Sequence, residues 1–178
     1  PLEGARHGFI DHDSTLSAQV APGSTRLCHI ECMIPQDRHV PDRVYLVRHG
    51  QTIWNLEHRL QGQLDSPLTD DGVRQAASTA LRVSAVGITT ICSSPLGRAV
   101  HTAGIIADVL GARVVEIDEL AELHHGEMAG MTWDEIDLAF PTAREERAEN
   151  RYGWAFPGGE SYAQVRARAR RALSACGW

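Results

Sequence analysis

The chain has 178 residues, of which 43% are hydrophobic and 22% charged, with a net charge of −6; that is room for one domain with a real core and the composition of an ordinary soluble protein. The acidic balance, with no Lys/Arg-rich block to offset it, argues against a nucleic-acid partner. No apolar run approaches the roughly 20 residues needed to cross a bilayer and no signal peptide opens the chain, so no membrane partner is expected.

Residues 1–42 lack sustained periodicity and scatter Pro, Gly, Ser, Asp and His, which predicts a weakly ordered leader. The chain opens at Pro1 without an initiator Met, and Met33 lies ten residues before the first good strand. Read that way, Met33 is a candidate start and the leader is not native coding sequence. The string Cys28-His29-Ile30-Glu31-Cys32 invites a metal reading, but a zinc site needs two further ligands at suitable spacing, and loop cysteines are the plainer reading. The four cysteines (Cys28, Cys32, Cys92 and Cys176) are too few and too scattered for a disulfide scaffold, which makes a reducing cytoplasm the expected location.

The texture changes at Arg43, where a domain spanning 43–178 is expected to begin. Val44-Tyr45-Leu46-Val47 is a short apolar, β-rich run, consistent with a buried strand. Thr69 is placed to cap a helix through Asp70 and Asp71 towards Val83. Ile88 to Cys92 reads as a second strand. Arg98 to Leu110 reads as a helix closed by Gly111, and Val114 to Ile117 as a third strand. Thr132 and Glu135 have capping-box spacing at the head of a helix that ends before Pro141, and Ser161 with Gln164 repeats that grammar before the last helix. Strands alternating with helices imply an α/β fold, a mostly parallel sheet flanked by helices in a three-layer sandwich. In such sheets functional groups gather beyond the C-terminal ends of the strands.

Three segments arrive at that edge. The first strand ends in Arg48-His49-Gly50-Gln51-Thr52, with Trp54 and Asn55 just beyond. An imidazole can attack phosphorus and hold the phosphoryl group covalently. An adjacent guanidinium clamps phosphate oxygens through forked donors. Gly50 would let backbone approach a ligand closely, and Gln51 and Thr52 are candidates for the same pocket. Taken alone the tripeptide is also compatible with a surface His on a polar strand end.

The second strand leads into Ser93-Ser94-Pro95-Leu96-Gly97-Arg98-Ala99, then Thr102-Ala103. It sets Arg98 in the first turn of a helix, where backbone N–H groups favour anions; an exposed helix-start Arg is the alternative. The third segment, Glu119 to Gly130, supplies a carboxylic acid for protonating a leaving alkoxide. Glu122 is the candidate, with Glu119 and Glu127 as competitors read as surface charges. His124 and His125 are adjacent and share no face, so they do not read as a metal pair.

In these motifs the chain resembles the histidine phosphatase superfamily, the phosphoglycerate-mutase-like proteins. The likeness runs from residue 43 to about 175 and rests on three ordered strings: Arg48-His49-Gly50, Ser94-Pro95-Leu96-x-Arg98-Ala99-x-x-Thr102-Ala103, and Leu120-x-Glu122-x-x-x-Gly126. The resemblance implies that His49 is the phosphohistidine nucleophile, Arg48 and Arg98 clamp phosphate, and Glu122 donates and accepts the proton. It also puts Asn55 in the phosphate pocket and Gln61 and Gly62 in a substrate-contacting loop. It implies a small phosphate ester as substrate, no metal, no cofactor, and leaves the oligomeric state open, a homodimer being one option.

The Pro157-Gly158-Gly159-Glu160-Ser161 string resembles the family's turn before the late helix, with a loop and N-cap as its plain role. The family also carries a second histidine, in a Ser-His-Gly-like segment on a strand after that helix. Here no histidine follows His125 and the sequence stops at Trp178. We expect truncation before the last strand rather than a natural pseudoenzyme, and hence lower stability and poor activity for this length of chain.

A phosphatase and a mutase share this chemistry. The stretch from Met131 to Trp154 is short, and its Arg144, Arg147 and Arg151 are interleaved with acids, which favours the phosphatase. Arg166, Arg168, Arg170 and Arg171 are spread around a helix and read as solvated surface. Trp54, Tyr152 and Trp154 are candidates to line a pocket, with core packing the use of at least one. A non-catalytic phosphate-binding pseudo-phosphatase is the reading from another class.

Overall fold

The computed structural model describes residues 9–10, 18–19 and 43–175. The Cys28–Cys32 string, Met33 and Cys176 lie outside the described residues, as does the leader apart from two short strands. The chain divides into one compact unit of residues 1–48 with 173–178, and a second of residues 49–172.

In the first unit, β1 (Phe9–Ile10) pairs in parallel with β4 (Leu46–Val47), and β2 (Ala18–Gln19) pairs antiparallel with β3 (Arg43–Val44). The strand expected as one run over Val44–Val47 is thus interrupted at Tyr45. Its two halves pair with different partners. Val44 is buried, but Leu46 and Val47 are 38% and 40% exposed. The apolar run is a strand, yet not the fully buried one its composition suggested.

The second unit carries the α/β core. β5 (Thr90–Ser93) and β6 (Arg113–Glu116) pair in parallel, joined by helix α3 (Gly97–Leu110), which is a βαβ unit. Gly111 takes a left-handed φ of 64° and ends α3, as a glycine at that position allows without a Cβ penalty.

Before β5 come a single-turn helix α1 (Ile53–Leu56) and helix α2 (Asp70–Val83). Thr69 caps α2 by accepting from the Gly72 N–H, with Asp70 and Asp71 at its positive end. Ala76, Ala80 and Val83 face inward from α2, and Ala103, Ile106 and Ala107 from α3. Their small side chains let the two helices pack closely.

A second apolar cluster forms from Leu123, Met128, Ile136, Ala143 and Phe156. It is built by α4 (Trp133–Ala139), α5 (Ala143–Glu149) and the loops around them. Thr132 and Glu135 make both hydrogen bonds of the expected capping box. Helix α6 (Tyr162–Ala175) starts at Ser161, whose Oγ accepts from the Gln164 N–H while Gln164 Oε1 accepts from the Ser161 N–H. Among the described residues no helix is long and apolar enough to cross a membrane.

Candidate active site

His49 is half-buried and begins the second unit. Its Nδ1 stands 2.8 Å from the carbonyl oxygen of Gly50. A carbonyl only accepts, so Nδ1 is the donor in this bond. Gly50 is fixed in turn. Its N–H donates to Thr102 Oγ1 at 3.1 Å, and the Thr102 hydroxyl donates to the Arg98 carbonyl at 2.8 Å.

The glycine at position 50 serves a different approach from the one expected. A Cβ there would sit 2.3 Å from the Gly72 carbonyl oxygen, and one on Gly72 would sit 2.1 Å from the Gln51 oxygen. What comes close is the first turn of α2, not a ligand. Gln51 and Thr52 are likewise engaged within the protein. The Gln51 N–H donates to Gln75 Oε1 at 2.9 Å, and Gln51 O and Oε1 accept from the Thr69 N–H and hydroxyl. Thr52 is fully buried and caps α1 in a box with Asn55, whose Oδ1 accepts from the Thr52 N–H at 3.0 Å. Asn55 Nδ2 donates to nothing among the described residues. Arg48 is exposed and is the last residue of the first unit's long segment.

Arg98 is 3% exposed despite its charge. Its Nη1 donates to the Leu64 carbonyl at 2.9 Å and to Asp65 Oδ1 at 3.1 Å, and its Nη2 to the Gly62 carbonyl at 2.7 Å. Three of the five guanidinium N–H groups thus hold the 62–65 loop, leaving Nε and one Nη2 hydrogen. Asp65 was missed by sequence reading. Its carboxylate also accepts from the Arg98 backbone N–H at 3.2 Å, so the anion that meets the start of α3 is Asp65. The signal was present: Leu96 sits at the cap position with no side-chain acceptor to offer, and an outside carboxylate fills that need. A cavity of about 360 Å³ opens beside this loop, bordered by Asp65, Ser66, Gly97, Arg98 and His101 among others.

The same loop reaches Glu122. Gln63 Nε2 donates to the Glu122 carbonyl at 3.1 Å. Gly62, at a left-handed φ of 53°, lies so close to the third segment that a Cβ would come 2.6 Å from His125 Nδ1. The Glu122 side chain is exposed, and its Oε1 accepts from the Leu123 N–H at 2.8 Å. A continuous run of contacts therefore leads from His49 through Gly50, Thr102, Arg98 and the 62–65 loop to Glu122. The competitors are held elsewhere: Glu127, exposed like Glu122, donates its N–H to the Pro157 carbonyl, and the Glu119 carbonyl accepts from Arg168 and not from the 62–65 loop.

Two polar atoms in this region are buried with no hydrogen-bond partner, Gln61 Oε1 and His125 Nδ1. His125 stacks edge-on against Phe156 at 4.5 Å. Burial pushes its imidazole below the ordinary 6.5, against the opposing pull of the Glu122 carboxylate. The neutral ring is the folded form, so its contribution to stability is complete above 6.5 and is lost as pH falls below that value. Thermal melts on lowering pH from about 7 should show a falling midpoint. His125→Gln should flatten that decline, and an unchanged slope in the variant would contradict the assignment.

Among the late arginines, Arg166, Arg170 and Arg171 are exposed as expected, with Arg166 donating to the Tyr152 hydroxyl. Arg168 is not a surface residue: its side chain is 12% exposed and ion-paired with Glu160. Trp154 packs against Phe156 at 4.9 Å and donates from Nε1 to Glu146, the core use foreseen for at least one aromatic residue. Tyr152 is half exposed. His124 Nδ1 accepts from the Gly126 N–H at 3.0 Å, a turn-stabilising role. Among the described residues no cluster of three or more His, Cys, Asp or Glu could hold a metal ion.

Comparison with known proteins gives a consistent picture. A family model described as the histidine phosphatase superfamily (branch 1) matches residues 44–176. A protein of Yersinia pestis (strain Pestoides F) named probable phosphoglycerate mutase GpmB is 43% identical over 134 residues, covering 75% of this chain and 62% of its own length. The chain therefore spans less than two thirds of that relative. Among solved structures, a mycobacterial glucosyl-3-phosphoglycerate phosphatase complexed with VO3 superposes with a TM-score of 0.67 at 38% identity, covering 71% of this chain and 60% of that one. Bacillus stearothermophilus YhfR gives a TM-score of 0.68 at 36% identity, covering 72% and 64%.

Proposed function

The chain belongs to the histidine phosphatase superfamily (branch 1), and on that footing we propose that it is a phosphomonoesterase working through a phosphohistidine at His49. Its substrate is a small phosphorylated metabolite of the sugar-phosphate or phosphoglycerate type. His49 Nε2 attacks phosphorus; the N–P bond forms as the ester P–O bond breaks, and Glu122 gives its proton to the departing alkoxide. In the second step Glu122 takes a proton from water, whose oxygen attacks phosphorus. The N–P bond breaks, inorganic phosphate leaves, and the lone pair returns to Nε2. The remaining donors of Arg98 hold the phosphate oxygens, with Asn55 Nδ2 beside them; Arg48, next to His49 in sequence, is the second clamp the family resemblance implies. No step calls for a metal or cofactor.

The observation that carries this reading is the run of hydrogen bonds that ties the His49 ring, Arg98 and the Glu122 segment to one loop. We assign the catalytic domain to residues 43–178 with 1–42 as a leader, and the cytoplasm as its location on the grounds of cysteine usage.

A mutase is the second reading, favoured by the name of the 43%-identical relative. Against it, two of the three arginines after the Glu122 segment are turned to partners within the protein. Arg144 pairs with Asp137 and lies over the Trp133 ring, and Arg147 lies over Trp133 and donates to the Tyr162 hydroxyl.

The test uses protein expressed from its complete natural reading frame. We expect phosphate release from p-nitrophenyl phosphate without added metal, and from 3-phosphoglycerate without isomerisation to the 2-phosphate. Isomer formation outpacing phosphate release would establish the mutase. Phosphate binding without turnover would establish the non-catalytic module.

A further inference from the structure

The guanidinium of Arg168 is fully engaged, and its partners lie on the segment that carries Glu122. Nε and Nη2 grip the Glu160 carboxylate in a fork, each at 2.9 Å. Nη1 donates to the Glu119 carbonyl at 2.8 Å and to the Ala121 carbonyl, and the second Nη2 hydrogen to the Glu122 carbonyl at 2.9 Å. All five donors are thus used, so none is left for a phosphate, and the residue cannot act as a further clamp.

Glu160 completes the grip at the other end. Its Oε2 accepts from the His124 N–H at 3.0 Å, and its own N–H donates to the His124 carbonyl at 2.9 Å. The Arg168 guanidinium holds this carboxyl below the ordinary carboxylate range, so it remains charged across the working pH. The two loops also touch backbone to backbone: a Cβ on Gly159 would lie 2.3 Å from the His124 oxygen, and one on Gly126 would lie 1.9 Å from the Pro157 oxygen. Ser161, by capping α6, sets where Arg168 falls about two turns along the helix.

We propose that Arg168, braced by Glu160, is the positioning residue of the proton-donating segment, holding the 119–122 backbone so that the Glu122 carboxyl meets the leaving oxygen. The proposal rests on the reading of Glu122 as the acid. Glu122 itself is exposed, and among the described residues its carboxyl bonds only the N–H of the next residue, Leu123. Its place is therefore set by the backbone beneath it, and that backbone hangs on three carbonyls bonded to one side chain. A lysine at this position keeps the charge but not the planar fork.

The discriminating readout is the leaving group. Nitrophenolate departs as a stable anion and needs little help from an acid, whereas the alkoxide of 3-phosphoglycerate must be protonated. In the complete natural chain, Arg168→Lys should lower the single-turnover rate of phosphoryl transfer from 3-phosphoglycerate to His49 by about a hundredfold, as a misplacement near 1 Å does. It should leave the pre-steady-state burst of nitrophenolate, which reads the first step alone and reports that the protein is folded, within about threefold; steady-state turnover of both esters falls, because Glu122 also activates the water of the second step. Glu122→Gln should show the same asymmetry, and the double variant should be no worse than Glu122→Gln alone, since both act on one proton.

If Arg168→Lys does not fold, Glu160→Gln removes the brace more gently and should give the same pattern. Equal losses in the first step on both esters, or no loss on either, would overturn the positioning role. A Glu122→Gln variant without leaving-group dependence would instead overturn the assignment of the acid, and the positioning role with it.

Discussion

Replacing Arg98 by alanine is expected to lower the thermal midpoint by roughly 6–12 °C, the equivalent of about 3 kcal/mol in a domain of this size. The side chain is 3% exposed and holds two loop carbonyls and Asp65. Its removal strands those acceptors and unpins the 62–65 loop from the start of α3. Asp65 is 39% exposed in its side chain, so water recovers part of the loss, and the figure lies at the low end for a buried pair. Per folded molecule, turnover should also fall on the order of a hundredfold, because a donor to the phosphate is lost as well. Arg98→Lys should recover little of either, since one ammonium cannot reach carbonyls on two sides. Thermal melts and phosphate-release rates on the same samples check both halves; wild-type stability in Arg98→Ala would contradict the structural one.

The largest effect on rate should come from His49→Gln, with turnover down on the order of 10⁴-fold or more and the melting point close to wild type. The ring bonds the neighbouring Gly50 carbonyl among its interactions, and glutamine keeps a polar side chain of similar size at this half-buried position. Its chemistry is another matter. On the proposed mechanism, an amide nitrogen has no basic lone pair to take the phosphoryl group, and the two-step route closes. Residual activity within tenfold of wild type would remove the nucleophile from the mechanism.

What the sequence made legible were the features decided locally. The caps at Thr69, Thr132 and Ser161 and the left-handed end of α3 at Gly111 follow from a few adjacent residues, and each forms as read. Within the described residues, the order of strand, helix and strand around α3 was equally plain, because period and turn signals agree there.

What was not legible depends on residues far apart in the chain. Gly50 reads as space for a ligand until Gly72 is seen pressed against it, and Asp65 reads as a loop acid until the uncapped start of α3 meets it. Arg168 stands among four arginines on one helix, and spacing alone cannot say which of them turns inward to a loop more than forty residues earlier. The site residues named from sequence divide along the same line. Arg98, Glu122 and Gln51 bond to residues at least 18 positions away, whereas Thr52 and the Oδ1 of Asn55 are occupied with their own helix cap.

The most direct measurement is to quench the complete natural chain within its first turnovers of p-nitrophenyl phosphate and map the phosphoryl group by mass spectrometry under alkaline conditions. A single acid-labile phosphoryl group on His49, absent from His49→Gln, is the expected result. Turnover with no phosphoryl group on His49 at any quench time, or one carried by another residue, would contradict the central claim.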